Sequence, residues 1–104
     1  MNYNTGDKIY FKEEKRPYTI MACDERYLIC TKPFNLKKTV LYTIVDLLEG
    51  IRGADNYWKW GGRFDYSTKE GCEQALKGLY ADPFDIDSDS IEISHRNRCR
   101  LNLT

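Results

Sequence analysis

The side chains with the clearest chemical capacity are arginines set at or beside expected turns: Arg26, Arg52, Arg96 and Arg98. A guanidinium can meet a phosphate through two parallel hydrogen bonds, and a turn presents it together with free backbone N–H groups. Asn56 and Asn97 have the chemistry to read polar base edges or ribose hydroxyls. Trp58, Trp60, Phe64 and Tyr66 offer rings on which a base can stack. The same residues also admit a plainer account, in which the arginines are solvated surface charges and the aromatics cover the core. A catalytic set is harder to assemble. His95 is the one histidine, it sits among arginines, and no motif places a serine or cysteine nucleophile beside it. The run Asp82, Asp85, Asp87, Asp89 departs from a calcium loop. Counted from Asp85, the sixth position is Ser90 where glycine is required, and the twelfth is Arg96 where glutamate is required. Gly50, Gly53, Gly61 and Gly62 match neither phosphate-cradling pattern. Binding without turnover is the expectation, with no enzyme activity, no metal and no cofactor.

Charge balance narrows the partners. Sixteen basic and sixteen acidic residues give a formal net charge of zero. A protein that coats DNA needs a basic excess to displace counterions, so no DNA partner is expected, although a local cationic pocket stays open. The four cysteines, Cys23, Cys30, Cys72 and Cys99, form no C-x-x-C pair. They read as reduced thiols that pack as small hydrophobes. The first residues carry no basic segment followed by an apolar run, and no stretch approaches a membrane span. The expected location is the cytoplasm, with no membrane partner.

These residues must be positioned by a few short elements. Residues 8–11 read as a strand with Ile9 and Phe11 on one face, followed by a charged loop that ends at Pro17. Residues 18–23 and 27–32 read as a hairpin turning at Asp24-Glu25-Arg26. A turn centred between Glu25 and Arg26 would set Cys23 opposite Leu28 and Met21 opposite Cys30, all on one face. The strongest strand signal is residues 40–47, rich in β-branched and aromatic side chains. Glu49-Gly50 turns the chain, and Ile51-Arg52-Gly53 begins the return. Residues 54–66 read as a long loop or irregular strand carrying aromatics. Ser67-Thr68-Lys69-Glu70 has the form of a capping box with Ser67 as the cap. Cys72, Ala75, Leu76, Leu79 and Tyr80 then mark one face of an amphipathic helix that Pro83 ends. Gly71 and Gly78 each cost such a helix roughly 1 kcal/mol against alanine, so packing must hold it. Residues 91–93 and 99–103 alternate about a basic turn and read as a terminal hairpin. The expected fold is one α+β domain over residues 1–104. A mainly antiparallel sheet packs against one long amphipathic helix, and a C-terminal β-hairpin follows.

Particular runs carry a resemblance. They are Ala22-Cys23-Asp24-Glu25-Arg26-Tyr27, Cys30-Thr31-Lys32-Pro33-Phe34-Asn35, Val40-Leu41-Tyr42-Thr43-Ile44-Val45-Asp46, Ile51-Arg52-Gly53 and His95-Arg96-Asn97-Arg98. Together they resemble the first-described family of phage anti-Thoeris sponges. The resemblance implies a protein that holds cyclic ADP-ribose isomers, the signals of bacterial Thoeris defence, without cleaving them. It also implies homodimers or hexamers with ligands at protomer interfaces, and in some members a separate site for cyclic trinucleotides. By position it marks Arg52, Arg96 and Arg98 as phosphate-binding groups. Phe64 would be the ring that stacks on adenine, and Arg26 would belong to the second nucleotide site. Two other functions stay open from the residues: a small nucleic-acid-binding module, or a protein-only inhibitor that docks on a host enzyme.

Overall fold

Alternating β-branched, aromatic and aliphatic residues drive the middle of the chain into long strands, each side chain pointing to the face opposite its neighbour's. The computed structural model of the chain describes residues 2–12, 14–33, 40–53, 56–58, 64–80, 98–101 and 103. Its elements are β1 (Lys8–Ile9), β2 (Tyr18–Cys23), β3 (Tyr27–Pro33), β4 (Val40–Asp46), β5 (Ile51–Gly53), β6 (Asn56–Trp58), α1 (Lys69–Gly78) and β7 (Arg98–Arg100). Every described strand pairing is antiparallel, so the fold is α+β as expected. The strand order is β1-β2-β3-β4-β5-β7, with β6 paired to β4 off that path. An antiparallel bridge between Phe11 and Leu103 joins the chain two residues past β1 to the chain three residues past β7. The two ends of the sheet therefore meet, and the sheet rolls around one set of side chains.

Strand alternation divides the core in two. Inside the roll lie Ile9, Phe11, Tyr18, Ile20, Leu28, Cys30, Leu41 and Val45. On the outer face Ala22, Tyr27, Ile29, Tyr42 and Ile44 pack against Phe64, Tyr66, Cys72 and Ala75 under the helix. Ile20, Leu28, Ile29 and Val45 are fully buried. Each such side chain stabilises the fold by about 1.5–3 kcal/mol through burial.

The β2–β3 hairpin turns where expected, with Cys23 opposite Leu28. The second expected pair differs: Cys30 lies opposite Ile20, and a bulge falls between Ile20 and Ala22. The extra residue turns Met21 to the outer face, where it packs under the helix, while Ile20, Cys23, Leu28 and Cys30 stay with the inner set. Asp24 fixes the turn by accepting hydrogen bonds from the backbone of Arg26 at 2.8 Å and Tyr27 at 2.7 Å. An aspartate at the first position of such a turn closes it with its own side chain.

Helix α1 has ten residues and is not the long element anticipated. Its cap is Thr68, one residue after the expected Ser67, and the Thr68 hydroxyl accepts from the Gly71 backbone at 3.0 Å. Ser67 is held instead by Asp65, which accepts from both its backbone and its hydroxyl. The chain leaves the helix at Leu79 and Tyr80, whose N–H groups reach back three residues to Leu76 and Lys77. Gly71 also has a positive role. A Cβ there would overlap the Asp65 backbone carbonyl, so glycine lets the helix start against the segment that precedes it. The expected terminal hairpin is seen in one strand: β7 pairs with β5, and its predicted partner, residues 91–93, lies outside the described residues.

Candidate anion-binding site

Arg52 is not at the surface. It follows the turn at residues 47–50, but its place on β5 opposite Val45 and Cys99 directs the side chain into the roll. The residue is 6% exposed. Its guanidinium lies over the Phe11 ring at 3.7 Å from the centroid, with Tyr18 at 5.5 Å. Its Nε donates to the Thr43 hydroxyl at 3.2 Å, and that hydroxyl donates to the Gly53 carbonyl at 2.6 Å. Its Nη1 donates to Glu14 Oε2 at 2.7 Å. The other Glu14 oxygen accepts from Lys32 Nζ at 3.3 Å, and Lys32 sits 4.5 Å from the Tyr18 centroid. Two cations on strands thus share one carboxylate, over two rings that meet edge to face at 5.4 Å.

Arg26 occupies a different setting. It forms a two-point pair with Asp46, Nε to Oδ1 at 3.2 Å and Nη2 to Oδ2 at 3.0 Å. Asp46 Oδ1 also accepts from the backbone of Leu48 and Glu49, and the Arg26 carbonyl accepts from Leu47. The pair therefore clasps the β2–β3 turn to the β4–β5 turn. Burial tends to raise Asp46, but the hydrogen bonds from Arg26, Glu49 and Leu48 outweigh it and hold the carboxyl below its ordinary value. Asp24 behaves alike: burial is outweighed by hydrogen bonds from Tyr27, Tyr80 and Arg26. The Tyr80 hydroxyl donates to Asp24 at 2.8 Å and its ring meets Tyr27 edge to face at 5.3 Å, which ties the end of the helix to this corner.

The remaining predicted site residues separate. Phe64 is 7% exposed and packs edge to face on Tyr66, which stacks on Tyr42 at 3.8 Å. Its ring belongs to the outer core in this chain. Asn56 lies on β6 opposite Tyr42. Arg98 lies on β7 opposite Gly53, one register position along the β5–β7 ladder from the Arg52–Cys99 pair. Arg96 and Asn97 lie outside the described residues. Glu14, Lys32 and Thr43 join Arg52 in this cluster and carry no signal in the sequence. Glu14 belongs to a charged run that reads as a solvated loop, and Lys32 stands where a strand ends.

The thiols follow the packing. Burial pushes Cys30 well above the ordinary value, and Cys72 up to about 12. A concavity of about 620 Å3 lies at the other end of the strands from Lys32, lined by Asn2, Tyr3, Asn4, Cys23, Asp24, Glu25 and Leu47. Its charged lining is acidic, the wrong sign for a phosphate. Among the described residues no group of His, Cys, Asp or Glu is arranged to hold a metal ion, and no helix is long and apolar enough to cross a membrane. The chain matches no family model, no curated protein and no solved structure.

Proposed function

We propose that this protein binds cyclic ADP-ribose-type nucleotides and sequesters them without cleavage, and so acts as a phage counter to Thoeris defence in the host cytoplasm. One observation carries the reading. The two segments that the resemblance marks as phosphate-binding are separated by more than forty residues in sequence, yet β5 and β7 are adjacent strands, with Gly53 opposite Arg98. That adjacency supports one anion-binding region built from both segments. Sequestration requires affinity alone, and nanomolar binding corresponds to about 12 kcal/mol. Two phosphates paired with arginines and one stacked base are sufficient groups for that. A chain of this size encloses a dinucleotide poorly, so the ligand is placed between protomers of a homodimer or a hexamer, and binding is thereby linked to assembly. Arg26 belongs, in this reading, to a second site for cyclic trinucleotides, because its clasp with Asp46 leaves the side chain 37% exposed.

The test is to load the protein with cyclic ADP-ribose isomers, denature it by heat, and identify the released small molecules by mass spectrometry. Intact ligand is expected. A cleaved product would replace the proposal with a hydrolase, and a co-purifying host protein with no small molecule would replace it with an inhibitor. Arg98→Glu is the preferred loss-of-capture variant. Arg52 is part of the core, so its variants report on binding only where the fold is shown to persist.

A further inference from the structure

The Arg52 cluster has an asymmetry that a purely structural ion pair does not need. Both cations ride on the sheet, Arg52 on β5 and Lys32 on β3. The anion comes from the connection between β1 and β2, whose described backbone hydrogen bond at this point is Glu14 N–H to the Phe11 carbonyl at 3.0 Å. Arg52 is fixed further by Thr43 and by the Phe11 ring, independently of Glu14. The Glu14 side chain is the most open of the three, 26% exposed against 7% for Arg52 and 16% for Lys32. Each Glu14 oxygen serves one cation. Two non-bridging oxygens of a phosphate are spaced much as those of a carboxylate, and carry more charge.

We propose that the Arg52–Lys32 pair forms an anion site that Glu14 holds closed, and that a phosphate-bearing ligand enters by displacing the Glu14 carboxylate. Glu14 then acts as an internal competitor: it occupies a donor of each cation in the empty protein, and it subtracts from the affinity of any incoming anion. The exchange is non-covalent. The Glu14 carboxylate moves to solvent, and the ligand oxygens take its hydrogen bonds. This deepens the nucleotide-binding reading and rests on it for the identity of the natural ligand.

Inorganic pyrophosphate, titrated calorimetrically into the full chain at constant ionic strength, tests the site. Glu14→Gln is expected to bind it about tenfold more tightly than the unmodified protein. Adding Lys32→Met to Glu14→Gln is expected to remove that gain. Equal affinity in the unmodified protein and a folded Glu14→Gln would overturn the proposal. If Glu14→Gln does not fold, nuclear magnetic resonance on the unmodified protein decides. Movement of the Arg52 Nε–H and Glu14 amide signals with pyrophosphate supports the site, and no movement at saturating pyrophosphate overturns it. A parallel titration with cyclic ADP-ribose separates the two claims. Its capture with no effect of Glu14→Gln on either ligand would end this proposal alone. Pyrophosphate binding that follows the expected order, with no capture of the cyclic nucleotide, would end only the functional reading.

Discussion

The two arginine clusters are built in opposite senses. At the β2–β3 corner the cation, Arg26, is partly open and its anion, Asp46, is 4% exposed and holds two backbone N–H groups as well. In the roll the cation, Arg52, is buried and its anion, Glu14, hangs from a connecting loop. The member that can leave is therefore different. Asp46 cannot leave without opening a turn, whereas Glu14 can leave while Arg52 keeps Thr43 and the Phe11 ring. One cluster reads as a clasp and the other as an anion site with its own plug. A buried charge is a poor device for stability alone, because desolvation offsets much of the attraction.

That contrast is best broken where the effect is largest. Arg52→Ala removes the buried cation and its contacts with Phe11 and Thr43. It is expected to destabilise the fold by about 3–5 kcal/mol, read in denaturant unfolding. A loss below about 1 kcal/mol would mean that Arg52 is not seated in the core as described. Asp46→Ala strips the clasp of its acceptor and leaves the Leu48 and Glu49 amides without it. A loss of about 1–3 kcal/mol is expected. Arg26→Ala should cost less than Asp46→Ala, because those amides keep their carboxylate. The reverse order would show that the clasp depends on the cation.

Acid sharpens the same comparison. Asp24 and Asp46 both have carboxyls held below the ordinary 3.8 in the folded chain. The stability they supply is complete above that value and is lost as pH falls below it towards the lowered folded values. Acid unfolding followed by circular dichroism should accordingly begin below about pH 4. Asp46→Ala should flatten part of that dependence. The smallest effect concerns thiol reactivity. Cys30 and Cys72 are fully buried with raised values, so a thiol reagent at neutral pH should modify half-buried Cys23 ahead of both. Equal rates would indicate that the inner and outer cores open together.

Much of the scaffold was legible because period-two alternation is a local signal. It gives β4, the turn at Asp24 and the shared face of Ile9 and Phe11 directly. The bulge at Met21 was not legible, since one extra residue leaves the composition of a strand unchanged. The helix cap was misplaced by one residue because Ser67 and Thr68 are equally good acceptors, and the close approach of Asp65 to Gly71 decides between them. The Arg52 cluster was half legible. Arg52 announces itself by its charge beside a turn, but strand parity sends it inward. Its partners come from 38 residues away at Glu14 and from β3 at Lys32, distances over which sequence carries no pairing signal.

The most direct measurement is the mass of what the protein releases. Protein loaded with cyclic ADP-ribose isomers, washed and heat-denatured, is predicted to return the cyclic nucleotide unchanged, while Arg98→Glu returns little or none. Recovery of a linear ADP-ribose product from the folded protein, or no retained nucleotide from either form, would contradict the account.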